Sequence, residues 1–310
     1  MSILDIKNLS AGYDDLLVVK DVSFSMSEAS IVGIAGESGC GKSTLLKSIM
    51  NLPGNNITKT GSMMFCDRDI MTLNQKQMRE ILGKDLCVIF QKPENSMDPI
   101  CKISTQFYEA VRIHDKRADK KEVLNRSADI LEKLHFDNPT RVLNSYPFEM
   151  SGGMNQRIAI ALSLINQPKL ILADEPTSAL DVSVQSEVIR LIREVREEFG
   201  TAVLIVSHNM NVLAQLSDKI GIMYGGRMVE FGTNEDVLGK SRHPYTMALM
   251  NSVPKMSKEL PSSIPGMPPR FGEIIEGCPF RERCSYADEN CIKDPMVCGT
   301  DDHWWLCDKR

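Results

Sequence analysis

The eight residues GESGCGKS at 36–43 limit what this chain can fold into more than any other stretch. They fit the pattern G-x-x-x-x-G-K-[ST] and lie between an apolar run, IVGIA at 31–35, and a helical pattern, STLLKSIM. Such a loop works only when a buried strand delivers it and a helix begins where it ends. The backbone N–H groups must converge on an anion, and the helix must present its positive end to the same point. Gly36, Ser38, Gly39, Cys40 and Gly41 are expected to wrap nucleotide phosphates, with Thr44 in the first helical turn. Lys42 supplies charge to the β- and γ-phosphates, and the Ser43 hydroxyl is offered to Mg²⁺. The bland alternative is a glycine-rich turn before a helix, which does not account for the lysine and serine in register.

Two further apolar runs, LILA at 170–173 and AVLIV at 202–206, read as buried parallel strands, each followed by polar residues. Ligands of open parallel sheets bind beyond the carboxyl ends of the strands, where these residues fall. LILADEP ends in two adjacent carboxylates that need a cation or a reaction. Asp174 is expected to hold Mg²⁺, and Glu175 to orient and deprotonate the attacking water. Val184, Val188, Leu191, Ile192, Val195 and Phe199 recur at helical spacing before Gly200, which predicts a crossover helix. Residues ~92–165 carry helical patterns and read as an insertion between core strands. Val22, Phe24 and Met26 alternate, and KIGIM and RMVEF flank Gly225-Gly226, a hairpin signal. The fold class is therefore α/β: a P-loop cassette with a parallel core sheet, a small antiparallel subdomain and an inserted helical subdomain.

With 310 residues the chain holds one large domain or two smaller ones, and a net charge of −5 argues against nucleic acid as a partner. No apolar run reaches the roughly 18–20 residues that span a bilayer, and MSILDIKNLS has no signal-peptide core, so a cytosolic protein is expected. Thiols stay reduced there, which favours metal ligation over disulfides for the five of nine cysteines crowded at the C-terminal end. They follow KELPSSIPGMPPRFG, whose prolines forbid a regular helix. The expected organisation is an ATPase domain at 1–250, then a proline-rich linker and Cys-rich extension at 251–310 held apart from the nucleotide site.

Several shorter elements resemble those of ABC-transporter ATPases, in that family's order. MSGGMNQR at 150–157 resembles the signature LSGGxxQR, with Met150 in place of leucine. Gln91 ends CVIFQ like the Q-loop, SALD at 178–181 is similar to the D-loop with Asp181, and His208 closes AVLIVSH like the switch histidine. Tyr13 matches the aromatic residue that stacks on adenine. The resemblance implies that Ser151, Gly152 and Gly153, which open a helix, bind the ATP held by a second cassette. It also implies that His208 clamps the γ-phosphate and that Gln91 senses Mg²⁺.

HPYT at 243–246 and the tail beginning GCPF resemble the C-terminal extension of peptide and nickel importer ATPases. The matching thiols are Cys278, Cys284, Cys291 and, through His303, Cys307, whereas Cys298 falls outside the pattern. Spacings of five, six and fifteen residues fit neither zinc ribbons nor ferredoxin runs and leave the metal open. The resemblance favours an iron–sulfur cluster (4Fe–4S), with Zn²⁺ or metal-free thiols as alternatives. It implies an ATP- and Mg²⁺-dependent subunit on the cytoplasmic face of the membrane, importing peptides or nickel and metal chelates. Its partners are two permease subunits, a second identical or homologous ATPase and, indirectly, an extracytoplasmic solute-binding protein. The rival reading is a soluble ABC ATPase acting in translation or DNA repair, whose usual second cassette or coiled coil the chain lacks.

Overall fold

A computed structural model describes residues 2–14, 16–52, 56–178, 181–253, 263–273 and 275–308. Ala179 and Leu180 of the D-loop segment and most of the proline-rich stretch, 254–262, lie outside them. The chain divides into two compact units, Met1–Thr72 with Val206–Arg310, and Leu73–Ile205.

The first unit opens with β1 (Ser2–Tyr13) and β2 (Leu16–Ser27). In β2 the buried side chains of Val22, Phe24 and Met26 alternate with more exposed ones, the pattern of a sheet with one face on a core. β3 (Ile31–Ala35) is buried throughout, and α1 (Lys42–Met50) follows the glycine loop. β4 (Ile57–Phe65) and β5 (Arg68–Asp69) complete an antiparallel sheet of order β2-β1-β4-β5.

The second unit contains α2 (Gln75–Ile81), β6 (Leu86–Ile89) and four helices: α3 (Ile103–Arg112), α4 (Lys120–Lys133), α5 (Pro139–Asn144) and α6 (Gly152–Leu164). These four helices fall within residues ~92–165, where the sequence carries helical patterns. Then come β7 (Leu170–Asp174), the crossover helix α7 (Val182–Phe199), ended by Gly200 at φ 65°, and β8 (Ala202–Ser207). The strand order here is β8-β7-β6, with β6 parallel to β7.

Back in the first unit, α8 (Met210–Leu216) leads to the hairpin of β9 (Lys219–Tyr224) and β10 (Arg227–Thr233). Its turn residues Gly225 and Gly226 both take positive φ, 54° and 80°, as a two-residue hairpin loop of this hand requires. The core sheet is mixed, not parallel as expected. β9 pairs parallel with β3, but β10 runs antiparallel to β9. The hairpin belongs to this larger sheet because Ile220 to Tyr224 are buried without alternation, so both faces need cover.

The chain ends with α9 (Asn234–Gly239), α10 (Pro244–Ser252), β11 (Cys298–Gly299) and β12 (Trp304–Trp305). β12 pairs antiparallel with β10, and β11 with β12, so the Cys-rich extension prolongs the core sheet. The expectation of a tail held away by its linker is corrected here: the extension and the phosphate loop share one unit. The cause is a sheet edge at β10, which would otherwise leave unpaired backbone groups. Among the described residues no helix is long and apolar enough to cross a membrane.

Candidate nucleotide and thiol sites

β3 carries the chain to Gly36, and the loop turns on Gly39 and Gly41, at φ 81° and 104°. Side chains rarely adopt that backbone region, which explains glycine at both places. Gly41 starts α1 and accepts from the Leu45 N–H at 2.9 Å. Lys42 is almost wholly buried and folds back over the loop, its Nζ donating to the carbonyls of Gly36 at 2.7 Å and Glu37 at 3.0 Å. The ammonium is thus held at the loop by bonds that a phosphate can replace. Burial pushes the Cys40 thiol up, so this loop cysteine is a neutral packing group. Thr44 is buried and Ser43 exposed at the start of the helix. Tyr13, at the end of β1, lies with its ring 6.5 Å from that of Phe271 in the extension. His208 follows β8 as an exposed side chain.

In the second unit, β7 ends in Asp174 and Glu175 follows it, both half-buried. Glu175 sits at φ 46°, a left-handed conformation uncommon for a residue with a side chain and typical of strained functional turns. The Gln91 amide donates to Ser178 Oγ at 3.0 Å, and that hydroxyl donates to the Glu175 carbonyl at 3.1 Å. Gln91, after β6, is thus hydrogen-bonded to the loop after β7 that carries Glu175. Ser151 caps α6, accepting from the Met154 N–H at 3.3 Å, and Ser151 and Gly152 are exposed. A Cβ on Gly152 would meet nothing within 4 Å, whereas one on Gly153 would fall 2.8 Å from Val184 Cγ1. Gly153 is therefore needed for packing, whereas Gly152 faces open space. Asp181 accepts from the Val184 N–H at 3.0 Å and caps α7.

The extension gathers Cys278, Cys284, Cys291 and Cys307 around one cavity of about 240 Å³, which His243 and Phe280 also line. Cys298 lies in β11 and is not among its lining residues. The Cys278 N–H donates to the Cys291 carbonyl at 2.9 Å, and Gly277, at φ 74°, passes so close that a Cβ would lie 2.3 Å from the same oxygen. Burial first, then the neighbouring thiols of Cys291, Cys284 and Cys307, push the Cys278 thiol up to about 11, against the lowering by the Phe280 N–H. Four sulfur donors around one cavity suit an iron–sulfur cluster or Zn²⁺ by donor type. Among the described residues, no three His, Cys, Asp or Glu side chains stand grouped closely enough to hold a metal ion.

Contacts that the sequence does not signal tie this extension to the core. Glu230 on β10 is fully buried and accepts from the N–H groups of Arg242 and His243, both at 2.9 Å. His303 Nε2 reaches the same carboxylate at 2.8 Å, so this histidine braces β10 and does not line the thiol cavity. His243 Nδ1 accepts from the Tyr245 N–H at 3.1 Å, which leaves the proton on Nε2, and burial lowers the ring to about 3. Tyr245, fully buried, accepts at its hydroxyl from the Glu37 N–H at 3.1 Å. The HPYT segment was legible as a family mark. Its contact with the phosphate loop was not, because nothing local in the sequence links positions 208 residues apart.

A glycine loop between a buried strand and a helix, with its lysine folded over it, defines a P-loop nucleotide-binding cassette. A family profile described as "ABC transporter" matches residues 19–178, and one described as "Oligopeptide/dipeptide transporter, C-terminal region" matches 229–291. A probable peptide ABC transporter ATP-binding protein of Sinorhizobium fredii is 41% identical over 87% of this chain and 82% of its own length. The oligopeptide transport ATP-binding protein OppD of Escherichia coli is 36% identical over 96% of this chain and 89% of its own. Among solved structures, a dimeric ATP-binding cassette in a post-hydrolysis state, bound to ADP and Pi, superimposes with a TM-score of 0.65 at 26% identity, covering 74% of this chain and 98% of that one. The chain belongs to the ABC transporter family, and it is an ATP-hydrolysing cassette.

Proposed function

We propose that this chain is the ATPase subunit that energises a peptide importer from the cytoplasmic face of the membrane. The observation that carries this is the pairing of an ABC transporter match over residues 19–178 with an extension of the oligopeptide/dipeptide transporter type over 229–291. The relatives compared carry peptide transport in their names, which favours peptides over nickel or metal chelates. Two permease subunits supply the membrane path, and a solute-binding protein delivers peptide to them. Ile100, 79% exposed after the Q-loop segment, offers apolar surface for a permease.

Residue roles follow the motif positions. The loop residues Gly36 to Ser43 and Thr44 bind the phosphates, Lys42 neutralises them, and Tyr13 stacks on adenine. Ser43, Asp174 and Gln91 belong to Mg²⁺, which when bound neutralises charge developing on the γ-phosphate. Glu175 takes the proton of the attacking water and His208 holds the γ-phosphate. Ser151, Gly152 and Gly153, with Asp181, serve the ATP of a second cassette, so that ATP joins two cassettes and hydrolysis releases them. In the extension, Cys278, Cys284, Cys291 and Cys307 would hold a 4Fe–4S cluster, with Zn²⁺ as the alternative. The four line one cavity, which supports this assignment, and such a metal would have to draw their sulfurs closer together and would then fix the loops structurally.

Gly152→Asp tests the shared-ATP reading cleanly, since nothing lies near the new Cβ and the fold should tolerate it. The variant should keep nucleotide binding at its own phosphate loop but lose ATP-dependent cassette dimerisation and most hydrolysis in the assembled transporter. Normal dimerisation and turnover would refute the sandwich for this site. Co-purification of the wild-type chain with ribosomes instead of permeases would favour the soluble rival.

A further inference from the structure

The second position of the phosphate loop is a carboxylate, Glu37, and a negative charge there opposes the phosphates the loop must receive. Arg283 answers it. Its Nη1 donates to Glu37 Oε2 at 2.6 Å and its Nη2 to Oε1 at 3.1 Å, a two-pronged pair. The arginine side chain is 5% exposed and the glutamate side chain 24%, so solvent screens this pair far less than a surface one. The guanidinium is fixed from behind: Nε donates to the Pro265 carbonyl at 2.7 Å, and Nη1 also donates to the Tyr224 hydroxyl at 3.1 Å. Glu37 is fixed as well, its N–H donating to the Tyr245 hydroxyl and its carbonyl accepting from Lys42.

Arg283 stands on a single 3₁₀ turn, Arg281–Arg283, between two thiols of the cavity. The Arg281 N–H donates to the Cys278 carbonyl at 3.1 Å, and the Cys284 N–H to the Arg281 carbonyl at 3.3 Å. Whatever fixes Cys278 and Cys284 therefore fixes the turn that presents Arg283. We propose that Arg283 is a positioning residue for nucleotide binding: it neutralises Glu37 and holds the phosphate loop in its receptive shape, so that order in the thiol-lined extension sets ATP affinity. The proposal rests on nucleotide binding at the Lys42 loop and adds to it a determinant 246 residues away from Glu37.

The test is a double-mutant cycle on the full-length chain, read as MgATP and MgADP affinity by calorimetry. Arg283→Met should weaken MgATP about tenfold, the scale of coupled contacting charges, and MgADP less, because the unneutralised carboxylate acts on phosphate charge. Adding Glu37→Gln should restore most of the loss, since it removes the repulsion while leaving the damaged turn as it was. A purely structural role predicts no such rescue. Unchanged affinity in Arg283→Met, or a loss that Glu37→Gln does not repair, overturns the proposal. Should Arg283→Met fail to fold, Arg283→Lys keeps the charge without the fork and is carried through the same cycle, with about a threefold loss and the same rescue expected. Lys42→Ala runs alongside: wild-type affinity in that variant would refute the nucleotide site itself, a failure distinct from that of the Arg283 assignment.

Discussion

The phosphate loop and the thiol cavity lie in one compact unit, yet they are built in opposite ways. The loop is local: a buried strand, two glycines at positive φ and a helix place Lys42 within a dozen residues. The thiols of the cavity are spread over thirty residues with little regular structure, His243 of HPYT joins its lining, and the extension is braced by His303 on β10 and by Arg283 on the loop itself. A site made by local geometry can be read from a motif. A site made by distant contacts reveals its donor atoms in the sequence but not its neighbours.

The largest expected effect separates catalysis from everything the extension does. Glu175→Gln keeps the shape and hydrogen-bonding capacity of the side chain but removes the base, so hydrolysis in the assembled transporter should fall roughly 10²-fold or more while ATP still binds. Because Glu175 belongs to the second unit, metal content of the extension should be unchanged in the same preparation. Steady-state turnover and metal analysis on one sample check both halves. Near-normal turnover would remove Glu175 from the role of base.

The next effect sharpens the comparison from the other side. Anaerobically purified protein should carry iron and acid-labile sulfide in comparable amounts, and serine at Cys278, Cys284, Cys291 or Cys307 should remove them by opening a coordination position. Cys298→Ser should retain them, since Cys298 is not among the lining residues of the cavity. The four metal-depleting variants should also bind nucleotide a few-fold more weakly through the turn of Arg283, whereas a tail held apart by its linker predicts no change. Zinc without iron would select the other metal, and metal-free protein under strict anaerobiosis would leave the four thiols as a reduced packing cluster.

How much could be read beforehand follows the same division. IVGIA, LILA and AVLIV are recognisable because parallel strands buried on both faces become unbroken apolar runs, and the crossover helix because its apolar stripe repeats at helical spacing. The hairpin at Gly225-Gly226 was legible as a hairpin but not as part of the core sheet, since a turn fixes local pairing and leaves open which sheet the pair joins. Trp304 and Trp305 gave no strand signal, because a two-residue edge strand is too short for any period and forms on the template of β10. At the sites, Lys42, Gln91, Ser151 and Glu175 carry motif spacing. Glu37, Tyr245 and Arg283 also fall inside marked segments, GESGCGKS, HPYT and the RC of the tail, but no spacing tells what they do, since that depends on their contacts with one another. Cys278, Cys284, Cys291 and Cys307 line one cavity, and whether they share a metal is what the serine variants decide.

The smallest expected effect lies at the rim of the extension and measures how much of its docking is buried. Asp294 accepts from Arg227 Nη2 at 2.6 Å, and this hydrogen bond, then the charges of Arg227 and Lys20, hold its carboxyl below the ordinary carboxylate range. A depressed carboxylate contributes stability that is present above its unfolded pKa, about 3.9, and is lost as pH falls through the lower folded value. Asp294 is 69% exposed, however, so solvent screens the pair and its share should be at most about 0.5 kcal/mol. Asp294→Asn should therefore lower stability slightly at pH 7, less still in high salt, and the difference from wild type should vanish once the pH falls below the depressed folded value of this carboxyl. The Arg283–Glu37 pair, by contrast, should be largely insensitive to salt, because its guanidinium is shielded from water. Denaturant titrations of both sets of variants at two salt concentrations compare them directly. If Asp294→Asn costs as much as Arg283→Met, the extension is held by its rim charges and not by contacts buried beneath them.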